Sequence, residues 1–175
     1  MRLLFTLSLI FTLTGISFAQ PQNTLEQRIK YLHNIHNTHK AINFYEDSVM
    51  VVSGFRSPEH LAAIDSLEKT GIVLTKKIDT YLNTYGYPEK ELYGETANAT
   101  PLMILQQSTL YDVRRSQTSK LYKAYKKDEI ELSRMTSFLE SEYEHRFQKN
   151  YQSYLQGEPR VKDLMTALEV KPIKL

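Results

Sequence analysis

Two long apolar stripes at helical spacing, separated by a short break, constrain this chain more than any other feature. In the first, Leu25, Ile29, Leu32, Ile35 and Ile42 recur in steps set by the helical repeat, and the pattern runs on towards Val49. In the second, Ile64, Leu67, Leu74, Ile78, Leu82 and Tyr85 form one face. Such spacing lines side chains along one side of an α-helix. Two helices of this length joined only by Gly54 to Arg56 are expected to fold back on each other as an antiparallel pair. The ends are marked as well. Asn23 and Thr24 each have Glu26 or Gln27 three residues on, the spacing of a capping box. Gly54 and Gly86 are natural stops, and Ser57-Pro58 supplies a cap followed by proline in the first turn. Gly71 falls in the middle of the second stripe. A glycine there costs roughly 1 kcal/mol relative to alanine, so it predicts a close helix crossing, with a break into two shorter helices as the alternative.

The remaining chain is also helix-forming. Residues 86 to 100 read as a loop or short turns. Thr100-Pro101 repeats the cap-and-proline start, with an earlier turn from Glu95 to Ala99 as an option, and Leu102, Leu105 and Thr109 are the expected buried residues. Leu121, Tyr122 and Tyr125 form one further stripe, and Ile130, Met135, Phe138, Leu139, Tyr143 and Phe147 another. Lys126 to Glu129 marks a corner between them. Val161 to Leu168 predicts a last short helix, and the tail is expected to fray from about residue 169. Strand signals are missing: there is no Asn-Gly hairpin and no alternating run of β-branched residues. The fold class is therefore all-α, one domain of four to six helices.

The first 19 residues read as a secretory signal. Arg2 begins it, Leu3 to Leu13 is apolar apart from Thr6, Ser8 and Thr12, and Ser17-Phe18-Ala19 places small residues where a signal peptidase reads them. Cleavage is expected between Ala19 and Gln20. An uncleaved anchor is the alternative, but the run is short of the ~20 residues that a spanning helix needs. The expected mature chain, residues 20–175, is a single helical domain with no membrane span, located in the periplasm or secreted. It has no cysteine, so packing alone must hold it. Lys and Arg number 22 against 20 Asp and Glu, a net charge of +2 that gives no argument for nucleic acid or an anionic membrane surface.

Candidate site residues are few. His33, His36 and His39 share one side of the first helix, with His36 and His39 inside the arc of Leu25, Ile29 and Leu32. Histidines at this spacing can share a metal ion. They can equally pack as neutral rings in a tyrosine-rich seam, or stand in solvent. Glu46 and Asp47 lie about 10 Å further along the axis, too far to complete a site on their own helix. His60, Arg114-Arg115 and the lysines from Lys120 to Lys127 are expected on the surface. Asn98-Ala99-Thr100 matches a glycosylation sequon by letters only. The turn carrying Tyr85, Tyr87 and Tyr93 is expected to be exposed.

Part of the chain, roughly Asp65 to Gln156, resembles an uncharacterised bacterial family of small helical domains. Gly86-Tyr87-Pro88 is similar to the family's Gly-Trp-Pro, and Tyr93-Gly94 to its Val-Gly. Leu102 to Gln106 resembles its apolar helix ending in Gln-His, with Gln107 where the histidine is expected. Asp128-Glu129-Ile130 and Phe138-Leu139 resemble the region before its acidic-arginine pair. Glu144-His145-Arg146 departs from that pair, and Tyr151-Gln152-Ser153-Tyr154 lacks its Tyr-Gly-Thr-Gln segment. The resemblance implies a helical domain, and, if those polar residues form a site in relatives, a member that has lost it. It carries no activity.

Enzyme motifs are otherwise missing: no Gly-x-Ser-x-Gly, no phosphate-binding glycine loop, no His-Glu-x-x-His and no cysteine nucleophile. No cofactor is called for. The expected function is a non-catalytic exported binding protein that contacts an envelope protein or peptide, with Tyr85, Tyr87, Tyr93 and Gln107 as binding residues. The alternative is an envelope hydrolase or metal-dependent enzyme built on His33, His36 and His39. The sequence leaves the oligomeric state open.

Overall fold

A computed structural model describes residues 24–170. The segment read as a secretory signal, its expected cleavage point and residues 171–175 lie outside the described residues. Within them the chain is one all-helical domain without strands. Six helices have ten residues or more: α1 (Leu25–Ser53), α2 (Pro58–Tyr85), α4 (Glu95–Gln106), α5 (Tyr111–Tyr125), α6 (Leu132–Phe147) and α7 (Glu158–Ala167). A single turn, α3 (Lys90–Tyr93), precedes α4.

The α1–α2 pair is antiparallel, as the two stripes predict. Arg28 lies over the Tyr85 ring at one end, Tyr31 stacks on Tyr81, and Glu46 meets His60 near the other end. Thr24 and Gln27 form the capping box of α1. Ser57 caps α2 by accepting from the His60 N–H, with Pro58 in the first turn. Gly54 and Gly86 close the two helices at φ 90° and 77°, values that glycine alone adopts without strain.

α4 packs across both helices of the pair. α5 packs on α2 and α4, α6 on α5, and α7 on α6. The core runs through all of them, from Leu32 and Ile35 of α1 to Leu102 and Leu105 of α4, Phe138 and Leu139 of α6, and Leu164 of α7.

The start of α4 differs from the Thr100-Pro101 cap. The helix begins at Glu95, after Gly94, and carries Pro101 in its interior. Early burial explains the extra turn. Ala97 and Asn98 are both buried, and the Asn98 amide donates to the Pro88 carbonyl at 2.7 Å and to Glu129 at 3.0 Å. Glu129 also accepts from the Lys90 backbone N–H at 2.6 Å. One buried amide thus fastens the 86–94 segment to the corner between α5 and α6, and it leaves the Asn98 side chain inaccessible to a modifying enzyme. Thr109 is not part of α4. The helix ends at Gln106, and Thr109 is exposed in the following loop.

At the C-terminus, Arg146 donates to the Leu168 carbonyl at 2.6 Å and to Glu169 at 2.7 Å. The Val170 N–H donates to the Met165 carbonyl. The chain is therefore still tied at residue 169, where fraying was expected.

Candidate functional site

The long helices do not cross closely at Gly71. A Cβ placed on Gly71 would meet no atom of a neighbouring element within 4 Å. The glycine instead floors an open cleft of about 260 Å³. α1 contributes His39, Ile42 and Asn43, and α2 contributes Ile64, Leu67, Glu68, Gly71 and Thr75. The end of α4 and the loop after it close the far side with Ile104, Gln107, Ser108 and Thr109. The α2 residues sit at steps of three and four, so one helix face supplies a complete wall. That face is the predicted apolar stripe, and its Ile64 is exposed because it borders the cleft rather than another helix.

Two residues singled out from the sequence meet here. His39 Nε2 lies 2.7 Å from Gln107 Oε1. An amide oxygen can only accept, so Nε2 carries the proton in this arrangement. Asn43, one turn along α1, donates to the His39 carbonyl at 2.8 Å. The Thr75 hydroxyl is fully buried and has no hydrogen-bond partner. Threonines inside a helix usually donate to the carbonyl four residues earlier. Thr38, Thr80, Thr84, Thr100, Thr118, Thr136 and Thr166 all do so here, whereas Thr75 does not bond the carbonyl of Gly71.

The three histidines do not converge on a shared point. His33 is exposed, His36 and His39 are half-buried, and the partner of His39 is a neutral amide. Among the described residues, no three His, Cys, Asp or Glu side chains are placed to hold a metal ion. Burial lowers the pKa of His36, and the neighbouring His39, Lys40 and His33 lower it further. The ring is thus held towards its neutral form.

The tyrosine turn is not an exposed platform. Tyr93 is buried, and Tyr85 and Tyr87 are half-buried against the core. Burial pushes the Tyr87 phenol up, with Glu129 adding to the rise and Arg134 opposing it. Tyr85 also packs at a tilt against Tyr81. The cause is the short α3 turn and the Asn98 hub, which fold the segment back under the hairpin so that its rings face inwards.

Exposed apolar groups lie instead at the outer end of the hairpin. Only Leu32 and Ile35 of α1 are buried. Beyond them Phe44 is 72% exposed, Val51 79%, Val52 85% and, in the connecting turn, Phe55 72%. Phe44, Val51 and Val52 share a helix face. Residues 41–68 carry Glu46, Asp47, Glu59, Asp65 and Glu68 but only one basic residue of fixed charge, Arg56. His60, expected on the surface, is 1% exposed. Its Nδ1 accepts from the Arg56 N–H at 2.9 Å and its Nε2 faces Glu46 at 2.6 Å, so it ties the connecting turn to α1.

A second concavity of about 210 Å³ lies between α5, α6 and the C-terminal segment, lined by Tyr111, Arg115, Glu142, His145 and Arg146 among others. Tyr111 and His145 stack face to face. Arg114, expected on the surface, is 3% exposed beneath this cleft. It donates to the Ser108 carbonyl at 3.3 Å and to Ser141 at 3.0 Å. Its Nε lies 2.5 Å from Glu142 Oε1, close enough for an ion pair but off the axis of a hydrogen bond. Burial raises the pKa of the Glu142 carboxyl, against Arg114 and Arg115, which pull it down. The lining of this concavity includes His145 and Arg146, whereas Gln107 lines the cleft over Gly71, so these sequence candidates lie apart.

Comparison of the chain with protein-family models, with curated proteins and with solved structures finds no match.

Proposed function

We propose that this chain is an exported, non-catalytic binding protein whose contact surface is the outer end of the α1–α2 hairpin. The observation that carries this reading is the exposure of Phe44, Val51, Val52 and Phe55 in one region. Apolar groups of this size left in water mark interaction surfaces. The rim selects the partner. Asp47 and Glu59 are exposed beside the patch, while Glu46 meets His60 and Asp65 pairs with Lys69, and Arg56 is the one basic residue of fixed charge between positions 41 and 68. A second copy of the chain docking through the same patch would set acid against acid, which opposes association. The fitting partner is an envelope protein or peptide with an apolar face fringed by lysine or arginine. Export is supported by Arg2, the Leu3 to Leu13 run and Ser17-Phe18-Ala19.

A photo-crosslinking residue at Val52 tests the reading, with Thr96, exposed on α4, as control. Cross-linking in envelope extract should give one adduct from Val52 and none from Thr96. The Phe44→Asp variant should remove it, and added salt should weaken it. An adduct with a second copy of the chain, or equal adducts from both positions, overturns the reading. N-terminal sequencing of the exported protein tests the cleavage point before Gln20.

A further inference from the structure

We infer that the cleft over Gly71 is a binding site for a small uncharged amphiphile: one ring or short branched chain bearing a single hydroxyl or amide. This goes beyond the hairpin-end surface and does not depend on it. Size sets the first limit. At about 260 Å³ the cleft exceeds the ~150 Å³ apolar cavity that accepts benzene, and it falls below the ~300–1,000 Å³ of pockets for drug-sized molecules.

Charge sets the second limit. The lining includes no lysine or arginine, and its one carboxylate is Glu68. An anionic ligand would enter without a fixed countercharge and against that carboxylate. Ile42, Ile64, Leu67 and Ile104 supply apolar walls.

Thr75 sets the third. Its buried hydroxyl has no partner, stands in the cleft lining and has not closed on its own helix. A ligand hydroxyl or amide reaching it would satisfy both groups away from water, where a hydrogen bond is worth most. Gly71, one turn before Thr75 on the same face, leaves open space at its own position in the cleft floor. A glycine in mid-helix opposes helix formation, and here no crowding from a neighbouring element requires it. Open volume in the cleft floor beside Thr75 is the use that the geometry gives it.

The test compares p-cresol, toluene and benzoate by titration into ¹⁵N-labelled protein. p-Cresol should shift the amides of Gly71, Thr75 and Gln107 saturably, toluene should do so more weakly, and benzoate should not. Thr75→Val should weaken p-cresol by about fivefold, one neutral hydrogen bond, and leave toluene unchanged. Gly71→Leu should abolish both while retaining the wild-type melting temperature or exceeding it, which shows that the fold is kept. Equal binding of benzoate, an unchanged p-cresol affinity in Thr75→Val, or no saturable shift at these amides overturns the inference. None of these results bears on the Val52 adduct, so the two readings fail separately.

Discussion

Arg114 of α5 and Glu142 of α6 face each other at 2.5 Å with both side chains almost wholly out of water. Charged groups in such a place are costly unless they stay paired. Removing one partner should therefore do more damage than removing both. Glu142→Leu should lower the unfolding free energy by about 3–5 kcal/mol, the usual loss when one partner of a buried pair is removed. The double variant Arg114→Met with Glu142→Leu should recover most of that loss. Urea denaturation of the four proteins in the cycle measures it. Additive losses would show that the two charges do not sense each other.

This pair also shows where sequence reading stops. Arg114, Gln117, Thr118 and Leu121 sit at helical steps and are all buried, yet only Leu121 is apolar, so the stripe of Leu121, Tyr122 and Tyr125 caught one residue of that face while Arg114 was expected in solvent. What covers that face was not legible either. A stripe identifies one side of one helix, whereas burial depends on which other helix lands there. His60 was misread for the same reason: it lies in the first turn of α2, and only the fold brings Glu46 to it. Caps depend on residues within a few positions of one another, and those at Thr24, Ser57, Gly54 and Gly86 were all readable. The tyrosine turn failed because one distant residue, Glu129, decides where the 86–94 segment goes.

His60 offers a second check, local to the hairpin end. Its ring satisfies the Arg56 N–H and meets the Glu46 carboxylate. Arg56 has a positive φ of 61°, a conformation few side chains favour, so this contact braces the turn. His60→Leu should keep the volume and destabilise the protein by about 1–3 kcal/mol through unpaired polar groups. Glu46→Gln keeps an acceptor at the same place and should cost less. Thermal melts of both decide it, and equal losses would argue against the ring as the link.

Gly71 gives a prediction of opposite sign to the close-crossing expectation. With no neighbouring element within 4 Å of an added Cβ, Gly71→Ala should stabilise the protein by about 1 kcal/mol through helix propensity. Destabilisation in denaturant would mean that the helices approach at that point after all.

The last prediction concerns acid and His36. Its folded pKa is lowered from 6.5, first by burial and then by His39, Lys40 and His33. The unfolded chain thus binds a proton more readily than the folded one. Stability from this group is complete above the unfolded value and is lost as pH falls from about 6.5 towards the folded pKa. His36→Phe removes the titrating group and keeps an aromatic ring. It should flatten the decline in melting temperature between about pH 6.5 and 5 while leaving the value at pH 8 nearly unchanged. A shared metal ion would behave differently. Chelator would then lower the melting temperature of the wild type at pH 8, and His36→Phe would lose that response. The arrangement of neutral neighbours around His39 argues for packing: the wild-type melt should not respond to chelator, and its acid slope should depend on His36.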